Sequence, residues 1–174
     1  MKNYKFHIAV TGTKGKTTTT RMIQHVLMCE EKNVFGEYGI DGSYVNGARG
    51  EEFRAGSDYF THPYFKEAQV TISEATSFVL SLDVYSRAPI NIGIFTGFEE
   101  IEHSELYDNP NEYLNTKKKI FQYMASGSRV IINRDCDRFL DIVKNCSTNV
   151  TTYGRSSEAD SIISNEHTSL TCAT

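Results

Sequence analysis

Residues 10–20 read VTGTKGKTTTT, and this stretch decides the fold. Glycines, lysines and threonines cannot build a packed core, yet here they stand between an apolar run and an amphipathic one. Glycines let the backbone curl so that N–H groups converge on an anion, and a helix starting just after adds its partial positive charge. In a strand–Gly-rich loop–Gly-Lys-Thr–helix arrangement the lysine reaches the β- and γ-phosphates of a nucleotide, and the following hydroxyl ligates Mg²⁺. Lys16 and Thr17 take those two places. Gly12, Thr13, Lys14, Gly15, Lys16, Thr17 and Thr18 form the expected phosphate cradle. The usual pattern has a further glycine five positions before Gly15, where this chain has Val10.

Working outward, residues 4–10 read as a strand and 17–31 as a helix, with Met22, Ile23, Val26 and Leu27 on one apolar face. Strands are expected at 69–73, 91–96, 130–133 and 150–153, and helices at 77–82, 111–124 and 138–144. Strands alternating with helices imply βαβ units. The expected fold is therefore α/β and P-loop NTPase-like, a mostly parallel sheet flanked by helices. Residues 39–66 break the rhythm and read as a hairpin or long loop over the site. The tail SLTCAT, residues 169–174, opens a β-like run and stops, which reads as truncation inside a larger fold.

The chain has 174 residues and a net charge of −4, without a basic stripe, so nucleic acid is not an expected partner. It has no apolar run of the roughly 20 residues that a membrane helix needs, and no signal-peptide core at its start. The four cysteines show no metal or redox spacing and read as reduced thiols of a cytoplasmic protein.

Two further positions follow from physical chemistry. Glu74 ends the run VTIS, and strand C-termini border the ligand crevice of a parallel sheet. A carboxylate there can hold Mg²⁺; a solvated strand-end glutamate is the alternative. Within NEYLNTKKKIFQYM, residues 111–124, helical spacing puts Tyr113, Lys117, Ile120, Phe121 and Met124 on one face. Lys118 and Lys119 fall off it, into solvent. Desolvation favours the neutral amine, which can combine with CO₂ to give a carbamate, an anionic metal ligand. Snorkelling at the helix edge is the other reading of Lys117.

T-G-T-K-G-K-T-T resembles the loop of the Mur ligase superfamily, which includes peptidoglycan Mur ligases, folylpolyglutamate synthetases and cyanophycin synthetases. The segment SEATS, residues 73–77, is similar to that family's Glu-x-Ser-Ser. Residues 93–121, GIFTGFEEIEHSELYDNPNEYLNTKKKIF, resemble its strand, Thr-Asn, Asp-His and Tyr-x-x-x-Lys series. His103 matches the histidine, although Gly97 stands for the Asn and Glu102 for the Asp. VIINRDCD resembles an Asn-x-Asp-Asp turn, so Asp135 either faces the nucleotide or caps the next helix. Arg87 matches an arginine of no assigned role.

The resemblance implies the ATP-binding central domain of an ADP-forming amide ligase. ATP phosphorylates a carboxylate, and an amino-acid amine attacks the acyl phosphate. It implies Lys16, Glu74, His103 and Lys117 as catalytic residues. It also implies Mg²⁺ on Thr17 and Glu74, and a second Mg²⁺ on Glu74, His103 and a carbamylated Lys117. A small-molecule carboxylate and an amino acid are the implied substrates. Residues 1–174 are expected to be that domain, incomplete at its C-terminal end, with the N-terminal substrate domain and the C-terminal ligase domain missing, the latter supplied in cis or trans. The short segment before the loop disfavours a UDP-sugar substrate held in the usual way. A P-loop ATPase or kinase without ligase activity, or a non-catalytic nucleotide-binding fragment, are the alternatives.

Overall fold

The computed structural model describes residues 6–30, 33–37, 42–50, 63–100, 107, 109–144 and 146–164. Its described strands form one sheet in the order β4-β3-β2-β5-β1-β6-β7-β8-β9. The central strands are β1 (Phe6–Thr11), β2 (Val34–Glu37), β5 (Val70–Glu74), β6 (Ile90–Phe95), β7 (Met124–Asn133) and β8 (Asn149–Gly154). They pair in parallel, as the βαβ reading predicts. A short strand β9 (Ser161–Ile162) adds to β8. β3 (Ser43–Val45) and β4 (Ala48–Arg49) form an antiparallel hairpin on the other edge, turning at Asn46 and Gly47, both with positive φ.

β1 is buried on both faces, so it carries no polar-outward alternation. Ile8 and Val10 join Val34, Val70, Ile72 and Ile94 beneath helix α1 (Lys16–Cys29). Ala9 packs on the opposite side with Phe35, Val79, Leu80, Tyr85 and Ile120. A third cluster, with Phe95, Tyr113, Val130, Ile132 and Phe139, lies under α4 (Pro110–Lys118) and α5 (Phe139–Val143). Two short helices, α2 (Pro63–Glu67) and α3 (Ser77–Ser81), flank β5.

Several expectations shift. On α1, Ile23 and Leu27 pack inward, but Met22 and Val26 are 65% and 61% exposed. The inward face is rotated toward Thr20 and Gln24, both buried. Thr20 satisfies its hydroxyl inside the helix, its Oγ1 donating to Lys16 O at 2.7 Å in the first turn, so it can stand on the inward face. The helix expected over 111–124 is α-helical only to Lys118 and continues as a 3₁₀ turn over Lys119–Tyr123. β7 then starts six residues before the expected Val130, with a register shift against β6 between Ile90 and Ile92. The hairpin within 39–66 extends the sheet edge, its Gly47 turn against Met28 near the far end of α1, and does not lie over the phosphate loop. Residues 51–62 and the tail 169–174 lie outside the described residues. No helix among the described residues is long and apolar enough to cross a membrane.

Candidate functional site

β1 ends at Thr11 and α1 begins at Lys16, so four residues make the connection. Gly12 has φ +136° and Gly15, the N-cap of α1, has φ +82°. Side chains rarely adopt this region. No side chain caps α1, so its first N–H groups border the loop. Lys16 Nζ curls over the loop and donates to Gly12 O at 3.1 Å and Thr13 O at 2.9 Å. Lys14 extends outward and pairs with Glu99 at 2.6 Å, both side chains about half exposed. Thr13 is buried, Thr17 half-buried and Thr18 exposed.

The segment after β6 grips this loop. Thr96 N donates to Thr11 O, and Thr13 N donates to Gly97 O. Glu99 N donates to Thr13 Oγ1 at 3.0 Å. Thr96 Oγ1 lies 2.6 Å from Lys14 O and 3.1 Å from Thr11 O. From the β7 end, Asn133 Nδ2 donates to Thr96 O at 3.2 Å.

Glu74 is brought to the loop by register: it pairs with Val10, and Ala75 N donates to Val10 O at 2.8 Å. Its side chain is 4% exposed, so the solvated reading does not hold. A carboxylate this dry calls for a compensating cation or donors. Thr76 then caps α3, accepting from Val79 N.

Lys117 is 1% exposed, which excludes snorkelling, and its Nζ sits 4.6 Å from the Tyr113 ring centroid. α4 is started by Asn109, whose Oδ1 accepts from Glu112 N, and by Pro110 in its first turn. It packs against α3, the helix following Glu74. Lys118 is not simply solvated, because its Nζ donates to Asp141 O at 2.5 Å and partial desolvation of the amine lowers its pKa, opposed by the Asp141 charge. Lys119 is half-buried.

His103 lies outside the described residues. Asp135 does not cap α5, whose N-cap is Arg138 without a side-chain bond. Its two carboxylate oxygens accept from Arg155 N at 2.7 Å and Ser156 N at 3.0 Å, which holds its pKa below the ordinary carboxylate value. Arg87 is exposed at the end of a 3₁₀ turn, Val84–Arg87. No group of three or more His, Cys, Asp and Glu side chains that could hold a metal is assembled among the described residues. Three potential donors are placed separately: Thr17 in the first turn of α1, Glu74 in register with Val10 at the end of β5, and Lys117 buried on α4 against the Tyr113 ring.

Sequence reasoning missed two groups here. Thr96 appeared only as one letter of a motif. The buried set His7, Ser73 and Tyr85, directly before Glu74, was not read at all. His7 Nδ1 lies 3.2 Å from Ala88 O and Nε2 3.0 Å from Ser73 Oγ, which lies 3.1 Å from the Tyr85 hydroxyl. Burial pushes the His7 pKa down to about 4, opposed by the Ala88 carbonyl.

The family model of the Mur ligase middle domain matches residues 10–173. The UDP-N-acetylmuramate–L-alanine ligase of Agathobacter rectalis is 32% identical over 162 residues, covering 92% of this chain and 31% of that protein. A solved UDP-N-acetylmuramoyl-L-alanyl-D-glutamate–2,6-diaminopimelate ligase superposes with a TM-score of 0.71 at 24% identity, over 89% of this chain and 33% of that one. The MurF ligase of Thermotoga maritima, solved in complex with ADP, has a TM-score of 0.61 at 17% identity, over 92% and 35% of the two chains. The chain thus spans about a third of the length of the relatives it matches.

Proposed function

The chain belongs to the Mur ligase middle-domain family, and on that premise we propose that it is the ATP-binding unit of an ADP-forming amide ligase. The carrying observation is the conjunction of a Gly15-opened helix, Lys16 beside the loop and the dry Glu74 carboxylate drawn up to Val10. In this reading Gly12, Thr13, Lys14, Gly15, Lys16, Thr17 and Thr18 cradle the phosphates. Lys16 leaves the loop carbonyls to neutralise the β- and γ-phosphate oxygens, and a fixed positive charge there lowers the barrier to phosphoryl transfer. A small-molecule carboxylate takes the phosphoryl group, and an amino-acid amine then displaces phosphate from the acyl phosphate. Parts of the whole protein beyond this domain, in cis or trans, present those two substrates. The work is assigned to the cytoplasm, in keeping with three free described cysteines.

Mg²⁺ fits the buried Glu74 carboxylate and the Thr17 hydroxyl at the helix start. In the same reading a second Mg²⁺ would be held by Glu74, His103 and a carbamylated Lys117, the buried Lys117 amine being the observation that favours the carbamate. Bound there, Mg²⁺ neutralises charge developing on the phosphate oxygens.

Calorimetric titration with ATP·Mg²⁺ tests the reading. Lys16→Ala should weaken binding at least about tenfold, roughly 1.4 kcal/mol; equal affinity in the variant counts against the assignment. Incubation with ¹³C-bicarbonate should give a carbamate carbon signal in NMR that Lys117→Ala loses while Lys118→Ala and Lys119→Ala keep it. A signal that survives Lys117→Ala would move the carbamate elsewhere.

A further inference from the structure

Thr96 makes no contact through its charge or size that a motif would announce. Its hydroxyl sits beneath the phosphate loop, 2.6 Å from Lys14 O and 3.1 Å from Thr11 O. Its amide donates to the same Thr11 carbonyl at 2.9 Å. A trans peptide is planar, with its C=O and N–H pointing opposite ways. A hydroxyl that draws the Lys14 carbonyl down therefore aims the Gly15 N–H away from Thr96. The hydroxyl has one proton, which the shorter contact gives to Lys14 O, while the Thr11 carbonyl is held by the Thr96 amide, turning the Gly12 N–H the same way. The space for this is kept by glycine, since a Cβ on Gly12 would lie 2.0 Å from Thr96 Oγ1.

Thr96 is in turn held from its other side. Its own carbonyl accepts from Asn133 Nδ2, at the end of β7. The two residues after it add Thr13 N→Gly97 O and the Phe98 N–H, which donates to Cys136 Sγ at 3.2 Å. The loop's shape is thus set by the neighbouring strand end and not by the loop alone.

We propose that Thr96 is a positioning residue for phosphate binding, its hydroxyl orienting the Lys14–Gly15 peptide and its amide the Thr11–Gly12 peptide so that their N–H groups face the polyphosphate. This rests on the ATP-binding reading above, and it adds a residue that touches no substrate. A single oriented hydrogen bond is worth about a fivefold change in an equilibrium.

The test compares wild type, Thr96→Val and Thr96→Ser by calorimetry with ATP·Mg²⁺ and with inorganic tripolyphosphate. Thr96→Val keeps the shape and removes the hydroxyl, so both ligands should bind about fivefold or more weakly. Thr96→Ser restores the hydroxyl and should stay within about twofold of wild type. A merely structural role would lower the melting temperature of both variants without separating their affinities. In case Thr96→Val does not fold, the wild-type chain gives an independent readout. Tripolyphosphate should shift the Gly12 and Gly15 amide proton resonances, and a titration leaving both unmoved overturns the inference. Equal affinities of Thr96→Val and wild type, or equal losses in Thr96→Val and Thr96→Ser, also overturn it. Those results leave the nucleotide-binding function standing, whereas a wild-type chain that binds neither ligand removes both.

Discussion

Strand β1 carries polar groups at both ends, and the two ends satisfy them by different means. At its C-terminal end the work is done chiefly by backbone, helped by the Thr96 and Thr13 hydroxyls. Thr11 and the loop that follows are tied by main-chain bonds to Thr96 and Gly97, and two residues with positive φ make the curl. At its N-terminal end the work is done by side chains. His7 N donates to Asn91 Oδ1, and the His7 ring joins Ser73, Tyr85 and the Ala88 carbonyl in a buried chain. A backbone device restricts which residues can stand at each position, so it leaves a readable motif. A side-chain network needs only compatible atoms at the right places, which distant parts of the sequence supply without a local pattern.

The backbone end should be the more brittle. Gly12→Ala places a side chain at φ +136°, 2.0 Å from Thr96 Oγ1. Strain alone costs on the order of 1–3 kcal/mol, and relieving the clash displaces the Thr96 hydroxyl or the loop. We expect ATP·Mg²⁺ affinity to fall about a hundredfold or more, close to 3 kcal/mol, by calorimetry on folded variant. Near-normal affinity would mean that the loop tolerates another backbone path and that the contrast between the two ends is wrong.

The side-chain end should instead show itself through pH. Burial depresses the His7 pKa from 6.5 to about 4. As pH falls through 6.5 the unfolded chain takes up a proton that the folded chain refuses. Stability is therefore full above about 6.5 and is lost progressively down to about 4. Such a shift corresponds to about 3 kcal/mol. Urea denaturation at pH 7.5 and 4.5 should show most of this loss in wild type, and His7→Gln should flatten the His7 part of the difference. An unchanged pH dependence in His7→Gln would show that other groups carry it.

The same contrast explains what could be read from the letters. The parallel sheet, the phosphate loop and the burial of Lys117 were legible, because each follows from the order of neighbouring elements or from a spacing within one of them. Lys117 shares its helix face with Tyr113, both almost fully buried, and i, i+4 spacing suffices to say so. The same rule misplaced Met22 and Val26, because polar but buried Thr20 and Gln24 share the inward face of α1 with Ile23 and Leu27. The early start of β7 and the clasp of Asp135 on Arg155 and Ser156 depend on partners about 20 or more residues away. No local pattern encodes them.

The smallest effect is the one that tests whether the two ends of β1 are independent. The Ala88 carbonyl can only accept, so His7 Nδ1 carries the proton and Nε2 accepts from the Ser73 hydroxyl. The Ser73 oxygen then receives the Tyr85 hydroxyl proton. Tyr85→Phe removes that last donor and keeps the ring, which stacks on His7 at 5.8 Å and lies 5.8 Å from Tyr123. The loss should be about 1 kcal/mol of stability at pH 7.5, read by urea denaturation. Ser73 precedes Glu74 in β5, so any slack in the network has a one-residue path to the carboxylate beside the loop. The strand's pairing with β1 on either side of that position, from Phe6↔Val70 to Val10↔Glu74, should absorb it. ATP·Mg²⁺ affinity in Tyr85→Phe is therefore expected within twofold of wild type. A larger fall in affinity than in stability would show that the buried network tunes Glu74, and the two ends of β1 would have to be treated as one device.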